Sequence, residues 1–186
     1  TLSSSSAASD VYKRQRSGTC DDACASIRTL YPAAHHFAVR GSSQDWRIAI
    51  NAMNLGRGRV IATRSSAFSL SNEDDGEVRL FVPLWKKVEI RTGSLTCVVS
   101  PGSALVSSHG PLSRDYSESA RILIASFPRQ LVSGALECLS GEDHCPENFP
   151  PMFRHGAQIQ MVRRHLLSLV RCVDDSSDAI INEPRF

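Results

Sequence analysis

The chain has 186 residues, of which 41% are hydrophobic and 22% charged, and its formal net charge is +2. This is the composition of an ordinary globular protein that is long enough for one domain with a core. The small net charge does not by itself indicate nucleic-acid binding, and the longest apolar runs, such as RLFVPLW, are far too short to cross a membrane.

The first fifteen residues, TLSSSSAASDVYKRQ, differ in character from the rest of the chain. They are rich in serine and lack the apolar core of a secretory signal peptide. They also resemble translated adapter sequence found at the ends of reading frames assembled from environmental DNA. We therefore expect residues 1–15 to be a non-native or disordered tail.

A short helix is predicted over residues 20–31. After it, apolar and polar residues alternate in short runs, which is typical of half-buried strands. In one of these runs Ile48, Ile50 and Ala52 lie on one side, and the Gly-Arg-Gly that follows at 56–58 supplies a turn.

Turn signals separate the later strands. We predict hairpin turns at residues 72–76 (NEDDG) and at Lys86-Lys87, a corner at Pro101-Gly102, and a polar loop over residues 109–119. Pro83 interrupts a strand pattern, which indicates an edge position or a bulge. With about eight short strands, the pattern predicts a small antiparallel β-barrel or jelly roll over residues 16–127.

The chain changes character at Pro128, and residues 128–174 are predicted to form two helices. The first begins at Pro128, ends before Gly141 and has an apolar face made of Leu131, Val132, Ala135, Leu136 and Leu139. The second has apolar residues at three- and four-residue steps, at Ile159, Val162, Leu166, Leu169 and Val173. This stripe either packs on the chain's own barrel or forms a dimer seam with a second chain, and the dimer seam is our hypothesis.

Residues 175–186 are polar and contain Pro184, so they are predicted to be a linker. The six cysteines are dispersed without a C-x-x-C motif, which indicates reduced thiols, and we expect a cytoplasmic protein.

The sequence contains no catalytic constellation. It has no G-x-S-x-G, P-loop or G-x-G-x-x-G motif. A metal site in the barrel would need several converging imidazoles, usually with a carboxylate. His35 and His36 are adjacent and would face opposite sides of a strand, while His109 follows the predicted corner without a partner. We predict no catalytic residue, no metal ligand and no cofactor.

Four stretches share the order and spacing of elements of a known domain. They are residues 35–68 with their LG turn, VRLFVPLWKKVEIRTG, VVSPGSALVSS with its Pro-Gly corner, and RILIASFPRQLV, in which the last strand runs into a helix at Phe127-Pro128-Arg129. Together they resemble the N-terminal cupin-like domain of AraC-type transcriptional regulators, over residues 30–175.

The resemblance implies a barrel that binds a small effector or mediates dimerisation, followed by a DNA-binding half made of two helix-turn-helix motifs. On this basis residues 128–174 are the dimerisation segment, and residues 175–186 lead to a DNA-binding domain that is missing, through which alone DNA would be bound. We expect a bacterial, non-enzymatic regulator that forms a homodimer. Two alternatives stay open, a small metal-dependent cupin enzyme and a plain dimerisation module without an effector.

The sequence does not identify the ligand-binding residues. Arg79, Phe81 and Trp85 alternate with the apolar set of their strand, and a one-residue error in register reverses the side of the barrel on which they lie.

Overall fold

The alternating stretches of the sequence form the strands of two antiparallel sheets, and three helices flank them in the part of the chain that the structure describes. A computed structural model of the chain describes residues 12–17, 20–42, 46–108, 110–141 and 152–173. In chain order the elements are β1 Tyr12–Ser17, α1 Cys20–Leu30, β2 Ala34–Val39, β3 Ile48–Leu55, β4 Gly58–Ser65, β5 Phe68–Asn72, β6 Glu77–Trp85, β7 Val88–Thr92, β8 Leu95–Val99, β9 Ser103–Ser107, β10 Leu112–Tyr116, β11 Ala120–Pro128, α2 Arg129–Ser140, β12 Met152–His155 and α3 Ala157–Val173.

The first sheet has the strand order β1-β3-β4-β11-β6-β9-β12, and the second has the order β2-β5-β10-β7-β8. The two sheets face each other across an apolar interior to which α1 contributes Ile27 and Leu30. On β3, Ile48, Ile50 and Ala52 all belong to this interior, as their alternation predicts. The predicted mostly-β fold with helices at its C-terminal end is confirmed.

The connections that were predicted to be hairpins at residues 72–76 and 86–87 are not hairpins. Each leads from a strand of one sheet to a strand of the other, β5 to β6 and β6 to β7. Turn residues give a change of direction, but they do not specify which strand becomes the partner. Pro101-Gly102 is a corner of the same kind, as predicted, since it joins β8 of the second sheet to β9 of the first, and Gly102 has a φ of 93°.

Pro83 lies at a β-bulge in the middle of the first sheet. The register of β11 against β6 shifts at this point, with Ile122 opposite Pro83 and Arg121 opposite Trp85. The bulge accommodates a residue that cannot donate a backbone hydrogen bond. The predicted bulge is confirmed.

Three further predictions differ from the structure in part. Residues 109–119 were predicted to be a polar loop, but residues 112–116 form β10, which pairs with β5 and β7. Residues 12–15 were assigned to the tail, but they lie in β1, which pairs with β3; residues 1–11 lie outside the described residues. The predicted helical segment 128–174 contains the strand β12, and Gly156, with a φ of 93°, separates it from α3.

Helix α2 begins and ends where the sequence predicts, but none of its residues is buried. Pro128 stands at its N-terminus, and Gly141 ends it in the left-handed conformation with a φ of 69°. All twelve of its residues are described and none is buried. Leu131 is 39% exposed and Leu139 is 84% exposed, so the predicted apolar face is not covered by the rest of this chain.

Helix α3 packs on the outer face of the first sheet. Its residues Ile159, Leu166 and Val170 are at most 8% exposed. They form one cluster with side chains of the sheet, among them Met53, Val60, Ala62, Val82, Leu123 and Ala125. Each buried aliphatic side chain contributes about 1.5–3 kcal/mol, so this helix is held by its own chain. No helix among the described residues has the length and apolar character needed to cross a bilayer.

Candidate functional site

The interior between the sheets has an aromatic part and a polar end. In the aromatic part the rings of Phe68 and Tyr116 are stacked, with centroids 4.3 Å apart. Trp46 meets Phe68 edge-on at 6.2 Å and donates from its indole N–H to the carbonyl of Ala67 at 2.9 Å. The donor of Trp46 is therefore satisfied, and this part of the interior is an apolar wall.

The polar end contains three arginines that strand alternation turns inward. Arg59 lies two residues before Ile61 on β4, Arg79 lies two residues before Phe81 on β6, and Arg114 lies two residues before Tyr116 on β10. Ile61, Phe81 and Tyr116 all belong to the interior cluster. Because side chains two residues apart on a strand share a face, the three arginines share the inner face of their strands with these core residues.

Two of the three arginines are neutralised by carboxylates. The Nη2 of Arg59 donates to both carboxylate oxygens of Glu77, at 2.9 and 2.8 Å. The Nη1 of Arg59 donates to the carbonyl of Leu30 at 2.6 Å. Arg79 is paired with Asp75 and also donates to Glu77 at 3.1 Å. These bonds form a network of two guanidinium groups and two carboxylates.

Arg114 has no such partner. It is 2% exposed, and among the described residues no carboxylate lies within 4 Å of it. Its Nη1 donates to the hydroxyl of Tyr31 at 3.3 Å and its Nη2 to the Oδ1 of Asn72 at 3.4 Å, and its guanidinium lies 4.4 Å from the ring centroid of Tyr31. The charge of Arg114 is thus met by neutral oxygens and by aromatic faces.

Four buried donors of the polar end lack a hydrogen-bond partner in the described part of the chain. They are the Nε atoms of Arg59, Arg79 and Arg114 and the Nδ2 of Asn72. A buried donor without an acceptor is destabilising by about 1–3 kcal/mol. The cluster can therefore accept an added group that has lone pairs but no protons to donate.

The protonation states of the cluster keep its positive charge. Burial opposes the charge of Arg114, but the oxygens of Tyr31 and Tyr116 outweigh this effect and raise the pKa of the guanidinium. Burial raises the pKa of Tyr116 to about 12, although Arg114 acts in the opposite direction. The Tyr116 hydroxyl therefore keeps its proton near neutral pH and does not neutralise Arg114.

A concavity lies on the outer face of the second sheet, with a volume of about 360 Å³. Its charges are already matched in pairs, since Arg40 is paired with Asp115 and Arg91 donates to Glu89 at 2.7 Å. Such exposed pairs are solvated and screened, so the groove is a weaker candidate than the interior. It is lined by Arg40, Lys87, Glu89, Arg91, Val98, Asp115 and Ser117.

The residues that were predicted to form the dimer seam do not share one environment. Ile159 and Leu166 are buried against the first sheet and Val162 is partly buried there, whereas Leu169 is 39% exposed. The side chain of Val173 lies outside the described part. The role of these residues in dimerisation stays a prediction, and among the four whose side chains are described, Leu169 is the one that is exposed.

His109, which follows the predicted corner, lies outside the described residues. Among the residues that the structure describes, no three His, Cys, Asp or Glu side chains come together in a way that could hold a metal ion. His35 and His36 are both exposed, and His35 lies 3.5 Å from Glu73.

Sequence reasoning did not identify Arg114, Asn72 or Tyr31. The stretch LSRDY does carry the signal, because Leu112, Arg114 and Tyr116 alternate with Ser113 and Asp115. The register of β6 is now settled as well. Arg79 and Phe81 are buried, while Trp85 is 46% exposed.

The fold is similar to that of the AraC-like transcriptional activator CuxR, with a TM-score of 0.63 at 10% sequence identity. The likeness covers 92% of this chain and 64% of that chain, so the chain spans less than two thirds of the length of that protein. At the level of the fold, the predicted likeness to an AraC-type regulator is confirmed.

Shorter likenesses are found to two further proteins. A putative ethanolamine utilization protein, EutQ of Salmonella typhimurium, matches with a TM-score of 0.39 at 10% identity, over 44% of this chain and 70% of that chain. A cupin superfamily protein of Desulfitobacterium hafniense matches with a TM-score of 0.40 at 13% identity, over 48% of this chain and 84% of that chain. No protein-family model matches the sequence, and no curated protein matches it.

Proposed function

We propose that the chain is the effector-sensing and dimerisation domain of a bacterial AraC-type transcription regulator, and that it is not an enzyme. The observation that carries the proposal is the extent of the fold likeness, which covers 92% of the chain. The likeness to EutQ, in contrast, covers only 44% of the chain. The proposed setting is the bacterial cytoplasm, where such a regulator reaches DNA.

The two sheets form the sensing unit, which we propose is a small cupin-like barrel. The polar end around Arg114 and the aromatic wall around Phe68 supply the two kinds of contact that a small organic effector needs. We place the effector there, between the sheets.

The helices form the dimerisation unit. On α2, Leu131 and Leu139 are exposed, and on α3, Met161 and Leu169 are 56% and 39% exposed. Exposed leucines on a helix with an apolar face favour contact with a second protein surface. Because the same patch would meet itself across a two-fold axis, a second copy of this chain is the partner that we propose.

A physical connection runs between the two units. In the connection 72–76, Asn72 accepts a hydrogen bond from Arg114 in the interior, and Asp74 accepts one from Arg129 at the start of α2. An effector that moves Asn72 would therefore act on the first turn of α2 through a segment of five residues. This is the population shift that we propose, in which the effector favours one arrangement of the two copies over another.

The oligomeric state tests this proposal. We expect sedimentation of the purified protein to give a dimer, and the double variant L131D/L139D to give a folded monomer, since both side chains are exposed in the single chain. The matched control is S133D on the same helix, which should stay dimeric. A monomeric wild-type protein would contradict the dimerisation part of the proposal.

The plain dimerisation module remains the second candidate, because the largest fully buried side chains fill much of the interior. It differs from the sensing domain in one respect that can be measured. A module without an effector has no small molecule that raises its melting temperature, whereas a ligand present at 100 times its Kd adds about 2.7 kcal/mol.

A further inference from the structure

We infer that the edge of β8 is a docking surface for an extended, acidic segment of a partner protein, which adds to the second sheet as a further strand. The inference goes beyond the proposed function and does not depend on it, because it concerns the outer edge of the sandwich and neither its interior nor its helices. It follows from the sequence of β8, from its outward backbone groups and from the charged groove beside it.

The edge strand β8 lacks the features that protect the other sheet edges in the described part of the chain. β1 contains Lys13, Arg14 and Arg16. β2 contains the exposed His35 and His36, and β12 has only four residues. β8 has the sequence LTCVV, with no charged residue, no proline and a regular register against β7. Since charges, bulges and short length keep an edge from pairing with another chain, β8 is the edge that is open to such pairing.

The backbone groups on the outward side of β8 belong to Thr96 and Val98. β7 and β8 are joined by a two-residue turn that closes on Thr92 and Leu95. The closing pair of such a turn is hydrogen bonded, and hydrogen-bonded pairs alternate along the ladder. Thr96 and Val98 therefore direct their N–H and C=O groups away from β7. Both residues are exposed, Val98 at 51%, so an extended segment can pair with β8 at these positions.

The groove on the outer face of the second sheet determines the charge of the partner. Val98 of the edge strand is one of its lining residues, together with three cations and two carboxylates, Arg40, Lys87, Arg91, Glu89 and Asp115. The two ion pairs of the groove leave Lys87, which is exposed, without a carboxylate partner among the described residues. The groove thus carries an excess of positive charge, which favours an acidic side chain.

A strand added to β8 brings its side chains within reach of Lys87. Neighbouring strands lie about 4.8 Å apart, so the added strand would lie about 10 Å from β7, which begins directly after Lys87. Val98 lies opposite Glu89, and side chains opposite each other share a face of the sheet. A glutamate of the segment beside Val98 therefore enters the groove and meets the long Lys87 side chain. The backbone bonds supply affinity, and this ion pair supplies specificity.

Binding of synthetic peptides tests the inference. The probe is a capped peptide of about seven residues, in which valine and threonine alternate around a central glutamate, and its matched forms carry glutamine or lysine at the centre. We expect fluorescence anisotropy to show saturable binding of the glutamate peptide, with the glutamine form about tenfold weaker and the lysine form weaker still. A fourth peptide, N-methylated at the glutamate and at every second residue from it, cannot donate to β8 and should not bind.

Two variants assign the binding to this edge. K87E should reverse the preference, so that the lysine peptide binds about tenfold more tightly than the glutamate peptide. R57E makes the same change of charge at an exposed position between β3 and β4 and should bind as the wild type does. V98P removes a backbone donor that points away from β7 and should abolish binding without unfolding the protein, since an edge strand tolerates proline at such a position. The N-methylated peptide keeps the test decisive if V98P does not fold.

Three outcomes would overturn the inference: no binding of any peptide, equal binding of the glutamate and lysine peptides, or undiminished binding of the N-methylated peptide. A fourth would name a different occupant. If V98P lowers the oligomeric state of the protein while L131D/L139D leaves it unchanged, a second copy of this chain covers the edge and the inference is wrong. Because the peptides involve neither the interior nor α2, their failure to bind leaves the proposed sensing role standing.

Discussion

The guanidinium of Arg129 donates to both carboxylate oxygens of Asp74, at 2.9 and 3.2 Å, and so joins the start of α2 to the connection between the two sheets. The same side chain donates from Nε to the carbonyl of Ser108 at 2.8 Å, and the backbone N–H of Arg129 donates to the carbonyl of Gly76 at 2.8 Å. The first turn of α2 is thus fixed to two loops of the sandwich. The contact joins α2 to the segment that follows Asn72.

The variant D74N is expected to be less stable than the wild type near neutral pH, and this difference in stability should disappear as the pH falls. Burial raises the pKa of Asp74, but the N–H groups of Gly76 and Gly110 and the Arg129 guanidinium outweigh burial, so the pKa lies below its usual value. The unfolded state then binds the proton more tightly, and the stability that the carboxylate adds is present above about pH 4 and is lost as the pH falls through the lowered pKa.

Melting temperatures of the wild type and D74N, measured from about pH 6 to about pH 3, check this prediction. The difference in melting temperature between the two proteins should be largest at the highest pH of this range and should shrink toward the lowest pH. E73Q, which removes a more exposed carboxylate one residue earlier, is the control and should differ less from the wild type. A D74N difference that does not change with pH would contradict the assignment of the lowered pKa.

The variant G58A is expected to destabilise the protein. A Cβ at Gly58 would lie 2.3 Å from Cδ1 of Phe127 and 3.1 Å from the carbonyl oxygen of Ser126, so the ring would have to move. Overpacking of this kind costs about 1–3 kcal/mol. Denaturant unfolding measures the loss of free energy.

Two controls accompany G58A. In G134A, on α2, the added Cβ meets no atom within 4 Å, and the change should stabilise the helix by up to about 1 kcal/mol. The double variant G58A/F127L should recover part of the loss, because the side chain that clashes is replaced. If G58A is as stable as the wild type, Phe127 does not lie where the structure puts it.

Leu166 and Leu169 on α3 are expected to respond differently to truncation. Leu166 is 8% exposed in the cluster on the first sheet, so L166A should lower the free energy of unfolding by about 2–5 kcal/mol. Leu169 is 39% exposed, and L169A should change the free energy of unfolding of the monomer by less than about 0.5 kcal/mol. Equal losses would mean that α3 is rotated on the sheet.

A chelator is expected to leave the melting temperature unchanged. The reason is the proposed non-enzymatic function, together with the finding that the described residues hold no group of three metal-ligating side chains. Scans with and without excess EDTA make the comparison. A large fall in the presence of EDTA would favour the metal-dependent cupin enzyme and would direct attention to His109.

The strands could be predicted from the sequence where the alternation of apolar and polar residues is clear. The pairing of the strands with one another could not. Ile48, Ile50 and Ala52 revealed the inner face of β3 because the alternation has the period of a strand. The connection 72–76 looked like a hairpin because Asp75-Gly76 is a turn signal, but the pairing of β5 with β10 depends on contacts that are distant in sequence.

The candidate site was hidden for the same reason. Arg114 has an ordinary sequence neighbourhood, and its importance comes from Asn72 and Tyr31, which lie 42 and 83 residues away along the chain. The apolar face of α2 was predicted to be buried, but hydrophobic periodicity indicates that a face will be covered and does not say by which chain.

The sequence of the source DNA beyond the codon for Phe186 tests the central claim most directly. The proposal of a regulator's sensing domain predicts that the reading frame continues for about 100 residues, the size of a further domain, and encodes two helix-turn-helix motifs. A stop codon directly after Phe186 would contradict the proposal, because the chain would then have no DNA-binding half to control.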